Sequence, residues 1–263
     1  ARSLPGTITQ VWVAEGVHKP ALPPGVRTAT FQLISGVGLY GGFQGNESTL
    51  DQRNPTAHLT ILSGDLNGND TPLSADPRTL PPATWNDNSY HVVTVDDPLG
   101  ILDGFTITGG NATGPLSHQM GGGLHINYGS NPTIVNCIFK GNYAFYGGAV
   151  DNLGNSTFTG CTFSNNNAYT YGGAIHSQLS PSLRDCTFTN NASQWGGGIL
   201  CLNSGFPQLT NCTFSGNSAT STGGGIMIWN YTDLTVDNVT LDNNTAPIGS
   251  GMTLLYDLNH ILR

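Results

Sequence analysis

The stretch Cys161-Thr-Phe-Ser-Asn-Asn166, followed by Gly172-Gly173-Ala174-Ile175, is one copy of a repeat that runs along the second half of the chain. Each copy joins a Cys-x-Phe segment ending in Asn to a glycine pair and an aliphatic residue five or six positions later. The other copies begin at Cys137, Cys186, Cys212 and, in degenerate form, Val239. Steps of 24 to 27 residues between copies are typical of solenoids, in which each repeat stacks on the one before it.

The residues inside each copy alternate with a period of two, as in a β-strand with one buried face. In Cys161-Thr-Phe163 the two apolar residues share a face and the small polar residue points the other way. Residues that tolerate a left-handed backbone form a column before these strands: Gly104, Asn136, Gly160, Asp185, Asn211 and Asn238. An apolar column stands three residues before the Cys position: Leu102, Ile134, Phe158, Leu183, Leu209 and Val236. Each coil should therefore contain a strand, a bend, a strand, a glycine corner and a third strand.

These patterns predict an all-β chain folded as a parallel β-helix of the pectate-lyase-like type. The coil should be right-handed, because parallel crossovers are. We expect one continuous domain, with irregular coils and loop insertions at 17–28 and 66–89 in residues 1–100, and regular coils in residues 101–263. The strands expected in the irregular zone are 8–13, 31–33, 39–43, 59–62 and 92–95.

The repeat resembles that of the chlamydial polymorphic outer-membrane proteins, in which Phe-x-x-Asn is followed by Gly-Gly-Ala-Ile. The matches to the first half are Phe139/Asn142, Phe163/Asn166, Phe188/Asn191 and Phe214/Asn217. The resemblance covers about residues 100–255 and implies a right-handed β-helix that is exported and used in adhesion. Residues 11–16, 40–43 and 61–65 are also similar to the lead-in of bacterial secreted β-helix proteins.

The composition favours a secreted or surface-displayed protein. Charged residues make up 9% of the chain, against about 25% in ordinary soluble domains. The net charge of −8 argues against nucleic acid and against docking on anionic membranes, since both require clustered Lys and Arg. No apolar run approaches the ~20 residues needed to insert across a membrane. The start at Ala1 instead of Met fits a processed or trimmed chain.

Two repeated columns are predicted to be structural ladders. Cys137, Cys161, Cys186 and Cys212 occupy one inward column, where free thiols behave as small apolar groups. Asn142, Asn166, Asn191, Asn217 and Asn244 form the second column, in which stacked amides hydrogen-bond from coil to coil.

Two further sets of residues are candidates for ligand binding. Tyr146, Tyr171 and Trp195 precede three successive glycine pairs and should stack on one edge, either as packing or as a platform for sugar rings. His125, Asp151 and His176 follow the aliphatic position on neighbouring coils and are expected to face outward. They form a metal site, a His–carboxylate pair or a solvated surface column.

The loop that begins at Asp65 carries oxygen ligands at spacings that resemble a calcium loop. These residues are Asp65, Asn67, Asn69, Asp70 and Asp76. The Gly and the Glu of a complete loop are missing, so a solvated turn is the alternative. Calcium is the one cofactor that the sequence suggests.

Three classes of function remain open: a structural or adhesive module first, a glycan-binding module second, and a polysaccharide lyase or hydrolase third. No catalytic residue is assigned, because the regular coils contain only Lys140, Arg184 and Arg263 as cations. Asp96-Asp97 lacks the neighbouring residues of a polygalacturonase-like site. The expected partners are a cell-surface glycan or protein, or a second copy of the chain.

The last stretch of sequence is apolar and shows no capping helix. Leu254, Leu255, Leu258, Ile261 and Leu262 would leave an unpaired end, as would strand 8–13. Either this is a piece of a longer solenoid, or coils of successive subunits stack head to tail into a fibre.

Overall fold

The chain winds into a stack of coils whose short strands form four parallel sheets. The computed structural model describes residues 8–96, 98–202, 207–230 and 234–255. A regular coil passes through sheet A, sheet B, sheet D and sheet C in that order. Every pairing between consecutive coils within these sheets is parallel, for example Phe139 with Phe163 and Phe163 with Phe188.

Sheets A and B contain eight strands each. Sheet A consists of β1 (Gln10–Ala14), β4 (Gly38–Phe43), β7 (Ile101–Asp103), β11 (Thr133–Val135), β15 (Thr157–Thr159), β19 (Ser182–Arg184), β23 (Gln208–Thr210) and β27 (Thr235–Asp237). Sheet B consists of β2 (Gly16–His18), β5 (Thr60–Ser63), β8 (Phe105–Thr108), β12 (Ile138–Lys140), β16 (Thr162–Ser164), β20 (Thr187–Thr189), β24 (Thr213–Ser215) and β28 (Thr240–Asp242).

Sheet D has five strands and sheet C has eight. Sheet D consists of β9 (Asn111–Ala112), β13 (Tyr143–Tyr146), β17 (Asn167–Tyr171), β21 (Ala192–Trp195) and β25 (Ser218–Thr222). Sheet C consists of β3 (Phe31–Leu33), β6 (Val93–Val95), β10 (Leu124–Ile126), β14 (Val150–Asn152), β18 (Ile175–Ser177), β22 (Ile199–Leu202), β26 (Ile226–Trp229) and β29 (Met252–Leu255). Short 3₁₀ turns lie at Leu50–Gln52, Ala83–Trp85 and Leu116–His118.

The strands differ from the sequence prediction in number. Each regular coil before the last described one has four strands, because the segment between the ladder Asn and the glycine pair pairs as sheet D. Its residues, such as Asn167-Ala-Tyr-Thr-Tyr171, show no alternation of apolar and polar side chains, so the pattern gave no signal. The strands of residues 8–96 join the same sheets as the regular coils.

The core is a set of in-register columns inside the coil. The rings of Phe139, Phe163, Phe188 and Phe214 stack with centroids 5.1, 4.6 and 4.4 Å apart. The four ladder cysteines are buried and form no disulfide, and Cys201 on sheet C is also buried. Burial raises the pKa of Cys137 to about 12, and contact with the Cys161 thiol, followed by burial, raises the pKa of Cys186 to about 12, so these groups stay protonated.

The asparagine ladder is continuous over five coils. Asn142, Asn166, Asn191 and Asn217 each donate from Nδ2 to Oδ1 of the next Asn at 2.9 to 3.0 Å. Each Oδ1 from Asn166 onward also accepts the backbone N–H of the preceding ladder residue, as from Asn142 at 3.1 Å. All five residues are buried, so the amides satisfy one another and the turn backbone at once.

The predicted bends lie between sheets A and B and have the left-handed backbone. Their φ values are 81° at Gly104, 49° at Asn136, 62° at Gly160, 54° at Asp185, 54° at Asn211 and 50° at Asn238. A second column with the same conformation lies between sheets B and D: Gly109, Gly141, Asn165, Asn190, Gly216 and Asn243.

The last described coil is more open than the coils before it. Val236 is 44% exposed and Leu241 38%, whereas Leu209 and Phe214, which pair with them, are buried. The predicted apolar residues Leu258, Ile261 and Leu262 lie outside the described residues, so head-to-tail stacking stays a prediction. Among the helices in the described ranges, none has the length and hydropathy of a membrane span.

Candidate functional site

The 66–89 insertion folds back over sheet D and forms a roof. Tyr143 Oη donates to Pro77 O at 3.1 Å, and Asn167 Nδ2 donates to Ser74 O at 2.7 Å. Within the loop, buried Trp85 donates from Nε1 to Thr71 O at 2.8 Å. These bonds join residues far apart in sequence and fix the loop against the coils.

A groove of about 620 Å³ runs between this roof and the bend that joins sheets B and D. Residues 70–75 and Trp85 line the roof side. The floor follows one residue per coil over five coils: Gly109, Gly141, Asn165, Asn190 and Gly216. This space is called the roofed groove below.

Among the residues that the structure describes, Asp70 is the one acidic residue that lines the roofed groove. Its Oδ2 accepts a hydrogen bond from Asn88 Nδ2 at 2.8 Å, while its Oδ1 is buried without a partner. Burial raises the pKa of Asp70 to about 7; the bond from Asn88 opposes the shift, and the charges of Asp65 and Asp87 add to it.

Two carboxylates of the predicted calcium loop, Asp65 and Asp76, already have partners within the loop. Asp65 already accepts the backbone N–H groups of Gly68, Asn69 and Asp70 at 2.5 to 3.2 Å. Asp76 instead pairs with Arg78 at 3.2 Å, and Asn67 and Asn69 are exposed. Across residues 8–96, 98–202, 207–230 and 234–255, no three His, Cys, Asp or Glu side chains are grouped to hold a metal ion. Calcium binding therefore remains an untested prediction.

A second groove of about 640 Å³ lies on the other side of sheet B, at the bend from sheet A. It contains the cation Arg53, whose Nη2 lies 2.5 Å from Asp103 Oδ2. Arg53 also donates from Nη1 to the carbonyls of Gly41 and Asp103, each at 3.2 Å. Because these bonds hold Arg53 to the coil, its role here is structural.

The predicted aromatic column is present as a stack of half-buried rings. The centroids of Tyr146 and Tyr171 are 5.3 Å apart, and those of Tyr171 and Trp195 are 5.2 Å apart with planes inclined by 21°. Because the rings face one another along the axis, their faces are covered by their neighbours. This arrangement favours packing over a platform for sugar rings, which needs exposed faces.

His125, Asp151 and His176 form a linear cluster along the outer side of sheet C. His176 Nδ1 lies 2.6 Å from Asp151 Oδ1, and His125 Nδ1 lies 3.1 Å from Asp151 Oδ2, in ion-pair contact but poorly aligned for a hydrogen bond. The expected solvent exposure was wrong: Asp151 is 0% and His176 2% exposed. The rings of Tyr146 and Tyr171 each lie 5.9 Å from that of His176 and pack beside it.

The cluster favours an ionised Asp151 beside a protonated His125. Burial opposes ionisation of Asp151, but contacts with His125 and His176 outweigh it and hold the pKa of Asp151 below its usual range. Burial also opposes protonation of His125, yet Asp151 and then Asn127 raise the pKa of His125. The cluster is thus an anion held between two imidazoles.

Two further histidines extend this cluster, and the sequence gave no signal for them. The ring of His91 lies 5.1 Å from that of His125, and His91 Nε2 lies 3.1 Å from His118 Nδ1. Burial, and then the charge of His125, lowers the pKa of His91 to about 4. His91 and His118 come from an irregular coil and an inserted loop, so no repeat position marks them.

The predicted carboxylate pair of the third functional class is only partly described. Asp96 is exposed and accepts hydrogen bonds from Gln32 at 3.0 Å and from Asn127. Asp97 lies outside the described residues. No pairing of the two carboxylates is therefore assigned.

The family model for the right handed beta helix region matches residues 87–246, more than half of the chain. The chain belongs to this family. The match covers the regular coils as far as residue 246, with the aromatic stack and the His125–Asp151–His176 cluster, and it establishes the coil of this β-helix as right-handed, as predicted. No curated protein and no solved structure matches this right-handed β-helix chain.

Proposed function

We propose that this β-helix is an extracellular structural and adhesive module without catalytic activity, of the polymorphic outer-membrane repeat type. The observation that carries the proposal is the outer face of sheet B. In three successive coils this face presents pairs of half-exposed hydroxyl side chains: Thr162 and Ser164, Thr187 and Thr189, Thr213 and Ser215. Such a face offers many hydrogen bonds and little charge.

The surrounding structure supports the same proposal. Ladders of amides and aromatic rings run through the coils, so the module can present this face without rearranging. A low density of charge suits contact with polar, uncharged material at a cell surface. Bacterial origin and export are part of the proposal.

A binding assay on intact surfaces tests this function. Fluorescently labelled chain should bind bacterial or host cell surfaces, or insoluble extracellular polymers, in a saturable manner that persists at 0.5 M salt, because the face carries little charge. Heat-denatured chain is the control. Absence of saturable binding to every such surface would refute the adhesive function.

A polysaccharide hydrolase is the second candidate, because Asp70 has the raised pKa of a general acid and lines a groove. Against it, Asp65 and Asp87 already accept backbone N–H groups of the same loop. We expect no release of reducing ends from xylan, cellulose or pectin. Release that the Asp70→Asn variant loses would replace the adhesive proposal with this one.

A further inference from the structure

The floor of the roofed groove is a straight path along the solenoid axis. Its five floor residues belong to successive coils, which lie ~4.8 Å apart, so the path is about 19 Å long. A pyranose in an extended β-1,4-linked chain advances by nearly the same length as one coil. A strand lying in the groove would therefore place about one sugar beside each coil, with Asn165 and Asn190 beside two consecutive sugars.

The polar groups of the floor are available to a ligand. Asn165 and Asn190 are exposed, and within the described ranges neither side-chain amide bonds to another protein group. Both have φ of 54°, so each amide is held at an equivalent place on its coil. An amide both donates and accepts, which matches the hydroxyl groups of a sugar.

The charge of the groove selects among polysaccharides. Within the described part of the chain, the residues that line it include no cation, and their one acid is Asp70. A uronate, sulfated or phosphorylated chain would lose hydration here without gaining a counter-charge. The apolar side of the roof, Pro72 and Leu73, gives a sugar ring a surface on which to pack.

We propose that the roofed groove binds a single extended strand of a neutral β-1,4-linked polysaccharide, with one sugar per coil. This inference rests on the proposed adhesive function and names its ligand class. Asn165 and Asn190 bond to hydroxyls of consecutive sugars, and the roof holds the strand against them.

Calorimetric titration with cellohexaose, xylohexaose and mannohexaose tests the proposal, with hexagalacturonate as the charged comparison. At least one neutral hexamer should bind, and hexagalacturonate should bind at least tenfold more weakly. The double variant Asn165→Gly/Asn190→Gly removes both amides while keeping a residue suited to the left-handed backbone, as Gly141 and Gly216 already are. It should weaken binding by roughly tenfold or more, since two hydrogen bonds are lost.

Asn211→Gly is the matched control, because Asn211 has the same φ of 54° but lies at the other bend of sheet B. It should leave binding unchanged. Ala75→Arg, at an exposed position of the roof, is a second test that does not touch the floor, and it should also abolish binding of the neutral hexamer.

Three results would overturn the groove assignment: no binding of any neutral hexamer, equal binding of hexagalacturonate, or unchanged affinity in the floor and roof variants. The adhesive function fails separately, if the chain binds no cell surface or insoluble polymer. Surface binding by a chain that binds no neutral hexamer would keep the adhesive function and refute the groove.

Discussion

Asp151 is a buried charged residue on the outer side of sheet C. It is fully buried between His125 and His176. The alternation of β14 predicted its face correctly, with Val150 and Asn152 on the opposite side. The prediction of solvent exposure was wrong, because an alternating pattern indicates on which face of a strand a side chain lies but not which residues pack beside that face. Here the rings of Tyr146 and Tyr171 pack beside His176.

We expect Asp151→Ala to lower the free energy of unfolding by about 3–5 kcal/mol, because it leaves a buried imidazole without its counter-charge. The native pKa of His125 is raised above 6.5, so its contribution is fully present below that pH and is lost as the pH rises through the native pKa. The loss caused by Asp151→Ala should therefore be larger at pH 6 than at pH 9. Urea denaturation at both pH values measures it.

Asp242→Ala is the control for this prediction, since Asp242 is exposed on β28 and should change stability by less than about 0.5 kcal/mol. His91 should lower the stability of the folded chain at acid pH, because its burial disfavours the protonated imidazole. Its native pKa of about 4 lies below 6.5, so stability of the wild-type chain should fall as the pH drops between these values. An equal loss at pH 6 and pH 9 would mean that Asp151 acts through packing alone.

At the scale of the elements, the bends between sheets A and B were the most predictable feature. Gly, Asn and Asp occupy one column, and every member has positive φ. The matching column between sheets B and D was missed, although Asn165, Asn190 and Asn243 are residues of the same kind. These asparagines stand beside the ladder asparagines, and the sequence Asn-Asn does not say which of the two turns the chain and which bonds inward.

Asn211→Val should destabilise the chain by about 1–3 kcal/mol, because a β-branched residue adopts the left-handed backbone only with strain. Asn211→Gly separates strain from the loss of side-chain bonds, since it removes the amide contacts with Asp185 and Asn238 but keeps φ accessible. We expect the Gly variant to lose less than half as much. Thermal and urea unfolding followed by circular dichroism measure both, and equal losses would show that the amide bonds matter more than the bend.

At the scale of the whole molecule, the roofed groove was beyond sequence reasoning. The repeats predicted which residues stack, because equivalent residues of successive repeats lie next to one another in the coils. The 66–89 loop has no repeat to align with, and its bonds reach Tyr143 and Asn167, more than 60 residues away. The spacing of the loop residues indicated Asp70 as a calcium ligand. Its burial in the roofed groove could not be predicted, because it depends on where the loop packs against the coils.

Self-association of the chain is the remaining prediction at this scale. On the last described coil Val236 and Leu254 are each 44% exposed and Leu255 is 39% exposed, and on β1 Val11 is 42% exposed. Parallel strand edges with apolar side chains pair readily with another edge, and a head-to-tail contact between two different ends propagates instead of closing.

We therefore expect the 263-residue chain to associate as its concentration rises and to form filaments. Leu255→Lys or Val11→Lys should shift it to monomers, because a charge at the edge opposes pairing. Thr133→Lys, exposed on β11 in the middle of sheet A and several coils from either end, should leave association unchanged. Sedimentation velocity and electron microscopy distinguish the outcomes, and a wild-type chain that stays monomeric at high concentration would show that this coil does not stack on another copy.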